Sequence, residues 1–365
     1  MKDTHLFVAL TCVAVACLLS AAATRVVRAW AIRRGVVDLP GGHKTHHRPV
    51  ALLGGIAIVT AVLLPMLAAI VAARVLQTIG ADWLPASLSV HLPGISAKTW
   101  VGLAVIGGGC VLHVLGLLDD VRPLGAMPKL LVQVVVAVFV VTGFDVRLLT
   151  VAGPTASTIL SVLWIVTLTN AFNFLDNMDG LASGVALIAT SVFAATAMQA
   201  GQLFVPACCW LLVGALLGFL PYNYHPASIF LGDAGSLVVG YLVAVLTILT
   251  NFADPTYGQR PAGVLAPLVV MAVPLYDTAS VFFLRWRAGH SVWRADRRHF
   301  SHRLQNRGLS VRESVGVIWL ATAITSFPAV LLPTATWPLA IGIVCQTAAV
   351  VVLVAYLEKG GPSRV

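Results

Sequence analysis

The stretch Asn170-Ala171-Phe172-Asn173-Phe174-Leu175-Asp176-Asn177-Met178-Asp179-Gly180 places two carboxylates and three amides between two apolar runs, Ile159–Leu168 and Leu181–Ala197. A charged group in the hydrocarbon core of a bilayer costs roughly 2.5–3.5 kcal/mol on the insertion scale, so such groups persist in a polar cavity or at an aqueous boundary. Asp176 and Asp179 are three apart and would share one face of a helix. A polar loop end with two capping acids is the plainer reading of the same residues. Gly116-Leu117-Leu118-Asp119-Asp120 sets two adjacent acids at the end of another apolar run. Adjacent carboxylates repel, and one is driven toward its protonated form unless a cation lies close. That suits a base or a Mg²⁺ site, and equally a helix stop before Pro123. Lys129, ten residues on, could meet a phosphate or only mark a membrane boundary.

In Phe230-Leu231-Gly232-Asp233-Ala234-Gly235-Ser236 an acid stands between two glycines at the foot of a further apolar run. Glycine lets a backbone approach a ligand closely. Asp233 then either caps a helix or binds a hard cation through oxygen. The basic counterpart is the loop 285–312, with Arg294, Arg297, Arg298, His299, His302, Arg303 and Arg307. Arginine forks fit phosphate oxygens. Membrane topology accounts for most of these arginines, but it does not require His299-Phe300-Ser301-His302-Arg303. In the segment 38–55, Asp38-Leu39-Pro40 leads to Lys44, His46, Pro49, Gly54 and Gly55. Three histidines there (His43, His46, His47) could suggest a metal, but no cysteine accompanies them and the chemistry elsewhere points to phosphate. Asp277, inside an apolar run, is either functional or paired within the bundle.

These groups must be positioned by membrane helices. The 365-residue chain is 59% apolar and 10% charged, where a soluble domain carries about 25% charged residues; its mean hydropathy is +0.92. Spans of about 20 apolar residues are expected at 6–24, 50–72, 100–118, 129–144, 158–172, 181–199, 203–221, 236–251, 263–284, 314–333 and 337–357. This is an all-α polytopic membrane protein with about 11 transmembrane helices, read as one domain over residues 1–365. The segment 75–97 is expected to be a loop or a short interfacial helix, because Pro85 and Pro93 interrupt it. The N-terminus has the look of a signal peptide, with Lys2, an apolar run and Ala21-Ala22-Ala23. The run is long and Arg25 and Arg28 follow it, so a retained first helix is expected. The six cysteines lie in apolar runs without metal-ligand spacing and read as small core residues.

Alternate loops carry 18 of the 23 basic residues. By the positive-inside rule those loops are cytoplasmic, which puts the N-terminus outside and the C-terminus in the cytoplasm. The basic residues flank membrane spans, so the net charge of +9 does not suggest nucleic acid. Every concentrated polar cluster (38–55, 119–129, 170–180, 222–236, 285–312) falls on the cytoplasmic side, which points to a single site on that face.

The motifs resemble those of the polyprenyl-phosphate N-acetylhexosamine-1-phosphate transferases, and the likeness spans nearly the whole chain. Asp119-Asp120 looks like the family's double acid. Asn170, Asn173, Asp176, Asp179 and Gly180 look like its Asn-x-x-Asn-x-x-Asp-x-x-Asp-Gly motif. Residues 230–236 look like its Phe-x-Gly-Asp-x-Gly-Ser, and Lys44, His46, Pro49, Gly54 and Gly55 look like its opening motif. The chain departs from the pattern at Asn177 (usually Gly), His43 (commonly Arg) and Ala51 (commonly Pro). Asp296-Arg297-Arg298-His299-Phe300-Ser301-His302 is similar to the Asp-Arg-x-His-x-His-His of the GlcNAc-1-phosphate branch, with Ser301 for one His. It differs from the Pro-x-His-His-His of the muramoyl-pentapeptide branch.

The resemblance implies transfer of a HexNAc-1-phosphate, GlcNAc-1-phosphate foremost, from a UDP-N-acetylhexosamine to undecaprenyl phosphate. UMP would be released at the cytoplasmic face of a bacterial plasma membrane, beginning a cell-envelope polysaccharide. It implies Mg²⁺, or Mn²⁺ in its place, held by Asp233 and Asn173. It implies Asp119, Asp120, Asp176 and Asp179 as the catalytic acids: the first two at the lipid phosphate, one as a base, the others shaping the nucleotide pocket. Lys44, His46, Lys129, Asn170, Asn173, Gly232, His299, His302 and Arg303 would bind substrate. The resemblance admits a homodimer among membrane lipids. The alternatives are the same reaction with UDP-MurNAc-pentapeptide, and an ion-coupled transporter. A transporter would place acids near mid-span and show an internal repeat; here most acids lie at span ends and no repeat is visible.

Overall fold

The eleven expected spans are helical in the computed structural model of the protein, which describes residues 2–39, 48–80, 83–84, 89–289 and 299–359. The helices in chain order are α1 (Lys2–Arg34), α2 (Gly55–Ile79), α3 (Leu92–Ala97), α4 (Thr99–Val121), α5 (Ala126–Phe144), α6 (Pro154–Leu175), α7 (Leu181–Gln199), α8 (Phe204–Asn223), α9 (Asp233–Leu249), α10 (Ala266–Val270), α11 (Ala272–Arg287), α12 (Phe300–Gln305), α13 (Val311–Ser326) and α14 (Trp337–Lys359). Among the described residues, nine helices are long and apolar enough to cross a membrane. A broken pair, Pro261–Val270 and Ala272–Arg287, bends by 59° and is apolar enough to count as a tenth if the two pieces cross together. The shorter apolar α9 corresponds to the remaining expected span. The chain is an all-α, multi-pass membrane protein.

Three elements differ from the sequence expectation. α1 runs past the expected end at residue 24 to Arg34. At about 1.5 Å per residue its length exceeds the ~30 Å hydrocarbon core, and Arg25 on the extension donates from Nε to the Tyr222 hydroxyl, 2.6 Å away. The ninth span is interrupted at Met271. The tenth ends in a 3₁₀ stretch, Phe327–Thr334, which contains Pro333; proline lacks the N–H that an α-helical turn needs. The segment 75–97 contains the short helix α3, as its prolines suggested.

α9 organises the bundle. Residues Ala234 to Thr247 are all buried, and the helix packs chiefly on α4 and α6, with α2, α7 and α8 completing its surround. Glycine makes two of these crossings as close as they are. A Cβ added at Gly116 would lie 2.4 Å from Ala234 Cα, and one at Gly55 would lie 2.3 Å from Gly235 N. The end of α4 and the start of α2 therefore meet the start of α9 at backbone distance. A two-residue antiparallel pair, β1 (Val37–Asp38) with β2 (Val50–Ala51), precedes α2. Ala51 also bridges to Ile229, which ties the entry of α2 to the entry of α9.

Candidate active site

Two helix ends and two helix starts converge on one cluster. Lys129, in the first turn of α5, donates from Nζ to Asp119 Oδ2 at the end of α4 (2.9 Å) and to Asp233 Oδ2 at the start of α9 (2.8 Å). A cation does lie close to the adjacent acids: it is Lys129, and it serves Asp119 and Asp233. Asp119 Oδ1 accepts from Leu124 N in the turn that follows. Asp120 does something different. Its two oxygens accept from the backbone N–H groups of Asp233 (2.8 Å) and Ala234 (3.2 Å), so a side chain from α4 satisfies the orphan donors of the α9 N-terminus. Asp233 is not the cap of its own helix, and its carboxylate faces the cluster. Asn173, in the last turn of α6, donates to Asp233 Oδ1 (2.8 Å) and to Ser236 Oγ (3.0 Å). His113 Nδ1 lies 2.8 Å from Ala234 O and braces the same turn.

Beside this cluster opens a cavity of about 310 Å³, walled by Asp176, Asn177, Asp179, Asp233, His302 and Gln305 among others. α6 stops at Leu175, so Asp176 and Asp179 reach the cavity from a turn and not from one helix face. The low-dielectric surroundings push the Asp176 carboxyl well above the usual carboxylate range, and the charges of Asp233 and Asp120 add to this; a backbone hydrogen bond from Gly232 opposes it. Asp179 Oδ2 lies 2.7 Å from His225 Nδ1 and accepts from Ala227 N at 3.0 Å. It thereby pins the α8–α9 connection to the turn.

The segment 299–305 forms the far wall. Asp277, 1% exposed on α11, uses both oxygens: one lies 2.9 Å from His299 Nδ1 and the other accepts from Phe300 N at 2.6 Å. The intramembrane acid has its partner within the bundle. Arg303 is held by Glu358 of α14, Nε to Oε2 at 2.9 Å, and donates to Ser280 Oγ at 2.7 Å. Of the described basic residues expected to meet phosphate here, His302 is the one on the cavity wall. Asn170 lies a turn deeper and donates to Gln133 Oε1 on α5 and to Val166 O, a role in helix packing. Lys44 and His46 lie outside the described residues, as do Arg294, Asp296, Arg297 and Arg298.

The glycosyl transferase family 4 model matches residues 102–251, which run from α4 to just beyond α9 and include every acid of the cluster. A probable undecaprenyl-phosphate N-acetylglucosaminyl 1-phosphate transferase of Bacillus subtilis (strain 168) is 34% identical over 326 residues, 86% of this chain and 82% of the relative. This chain belongs to glycosyl transferase family 4. A decaprenyl-phosphate N-acetylglucosaminephosphotransferase of Mycolicibacterium smegmatis is 32% identical over 93% of the chain and 86% of the relative. A phospho-N-acetylmuramoyl-pentapeptide-transferase of Listeria monocytogenes is 31% identical over 62% of the chain.

Within this family 4 chain the donor set suits a hard divalent cation in chemistry, though not as a closed cage. Among the described residues no three His, Cys, Asp or Glu side chains are grouped to hold a metal by themselves. Mg²⁺ is usually bound by one or two carboxylates together with substrate phosphates. Asp233 and Asp119 already converge on one cation, the Lys129 ammonium. They are the carboxylates that would hold the metal, with substrate oxygens supplying the rest. Asn173 offers its amide nitrogen to Asp233, so a ligating role would require its carboxamide to turn over; as it stands it positions Asp233. Asn223, His225 and Gln305 escaped the sequence reading. Asn223 accepts from Gly180 N and Ser183 Oγ and donates to Ile229 O, which fixes the turn that carries both acids. The only signal for Asn223 and His225 was their place in the polar cluster at 222–236.

Proposed function

We propose that the protein transfers GlcNAc-1-phosphate, or a close HexNAc-1-phosphate, from a UDP-sugar to undecaprenyl phosphate in a Mg²⁺-dependent reaction. The lipid phosphate oxygen forms a bond to the β-phosphorus of the donor, the α,β-phosphoanhydride bond breaks, and UMP leaves. The observation that carries this reading is the Asp119–Lys129–Asp233 cluster, which meets a cavity of about 310 Å³ through Asp233. Two anions must meet in such a reaction, and positioning with charge compensation does most of the work. When bound, Mg²⁺ would offset the diphosphate charge. Lys129 holds the two acids in register, Asp120 fixes the start of α9, and Asn173 sets the rotamer of Asp233. His302 stands at the opposite wall.

The names of the relatives point to an N-acetylglucosamine phosphate and a polyprenyl phosphate acceptor. The 296–302 sequence favours the same donor over a muramoyl-pentapeptide. We place the cavity at the cytoplasmic face of a bacterial plasma membrane, with the N-terminus outside, because 18 of the 23 basic residues flank the expected spans on that side. Purified protein supplied with undecaprenyl phosphate and Mg²⁺ should release UMP from UDP-GlcNAc or UDP-GalNAc and not from UDP-MurNAc-pentapeptide. Release from the pentapeptide donor alone would overturn the donor assignment.

A further inference from the structure

Ser301 and Asn177 lie 124 residues apart in sequence, yet the Ser301 hydroxyl donates to Asn177 Oδ1 at 2.6 Å. The other end of the Asn177 carboxamide donates to Phe174 O, also at 2.6 Å. Both polar ends of this side chain are therefore engaged by the protein itself. Asn177 nevertheless forms part of the cavity wall between Asp176 and Asp179. Ser301 is 1% exposed and sits on α12 one residue before His302, which forms the wall opposite. These are also two of the positions at which the chain departs from the motifs it resembles: a side chain where that pattern has none, and a small hydroxyl where it has a ring. The extra volume at one position faces reduced volume at the other.

From this contact we infer that Asn177 and Ser301 form a latch that fixes α12 against the α6–α7 turn, and so sets the width of the cavity where the sugar of the donor is read. Both are positioning residues and act through His302 and the turn acids. The neighbouring anchors of α12, Asp277 at His299 and Phe300 and Glu358 at Arg303, tie it to α11 and α14. The Asn177–Ser301 bond ties it to the turn that carries Asp176 and Asp179. Loss of this one bond should leave α12 folded but shift it relative to the acids. This inference rests on the transferase reading of the same cavity.

The test is a mutant cycle read as KM for UDP-GlcNAc, KM for undecaprenyl phosphate, kcat and melting temperature. Ser301→Ala and Asn177→Gly should each raise the donor KM about tenfold, the size of one lost hydrogen bond to a buried group. The lipid KM should stay within about twofold, and Ser301→Thr, which keeps the hydroxyl, should retain most of the donor affinity. Ser301→His alone should be worse than Ser301→Ala because its ring meets Asn177, and Asn177→Gly should relieve it in the double variant. Additive effects of Ser301→His and Asn177→Gly would overturn the latch, as would an unchanged donor KM in Ser301→Ala. Should the wild-type protein transfer nothing from UDP-GlcNAc, the functional reading fails by itself. The same cycle in melting temperature then decides the latch: coupled losses support it and additive losses overturn it.

Discussion

Asp233→Asn should lower transfer by at least about 10³-fold while the protein stays monodisperse and folded in detergent; about 4 kcal/mol of lost transition-state stabilisation corresponds to such a drop. Asp233 is where three lines of the site meet. Its carboxylate holds the Lys129 ammonium at 2.8 Å and accepts from Asn173, while its backbone N–H is taken by Asp120. The amide variant keeps the backbone contact and nearly the same volume, so the helix should still start at the same residue. It loses the negative charge, and with it the ion pair that aligns Lys129 with Asp119. Near-normal turnover in this variant, measured as UMP release with Mg²⁺ present, would reduce Asp233 to a residue that only marks the start of a helix.

Gly232→Ala is the second large effect, and it separates geometry from charge. Gly232 has φ 71° and ψ 174°, a region essentially reserved for glycine that costs other residues on the order of 1–3 kcal/mol. A Cβ there would also lie 2.6 Å from Asp120 Oδ2, which is the oxygen that caps Ala234 N. Asp120 would have to withdraw, and the first turn of α9 with Asp233 would move with it. Gly153 provides the control. It precedes α6 with φ 85° and ψ 162°, a comparable backbone, and a Cβ there meets nothing within 4 Å. Both alanine variants should lower the melting temperature through backbone strain. Only Gly232→Ala should lose activity, by about 10²-fold or more, the scale of one misplaced positioning contact. Equal activity in the two variants would show that the Asp120 cap does not position Asp233.

The membrane architecture was legible because one length scale governs it. A bilayer needs about 20 apolar residues per helix, and the expected spans correspond to the observed helices, including α9 and the broken pair at Met271. The polar clusters were legible for the same reason, since a carboxylate at the edge of an apolar run stands out. What each acid does was not legible. Nothing local tells that Asp120 caps a helix more than a hundred positions away while its neighbour Asp119 binds Lys129. Nor does anything local pair Asp277 with His299, or Asn177 with Ser301. Those contacts follow from how tightly α4, α6 and α9 cross, which depends on small residues such as Gly116 facing backbone. Asn170 shows the converse: it stands in a motif with Asn173, but one further turn into α6 is enough to move it from the cluster to Gln133 on α5. The overlong α1 was missed because arginine reads as the end of a span, whereas a helix can continue beyond the hydrocarbon.

The most direct measurement is the fate of the donor's β-phosphate. Purified protein would be given UDP-GlcNAc labelled at that phosphorus, undecaprenyl phosphate and Mg²⁺, and the products separated into lipid and nucleotide. Phosphate transfer predicts that the label appears in the lipid, with unlabelled UMP released in equal amount. Label remaining in a released UDP, with only the sugar in the lipid fraction, would mean that the sugar–oxygen bond is the one that breaks, and would contradict the assignment of this site to phosphosugar transfer.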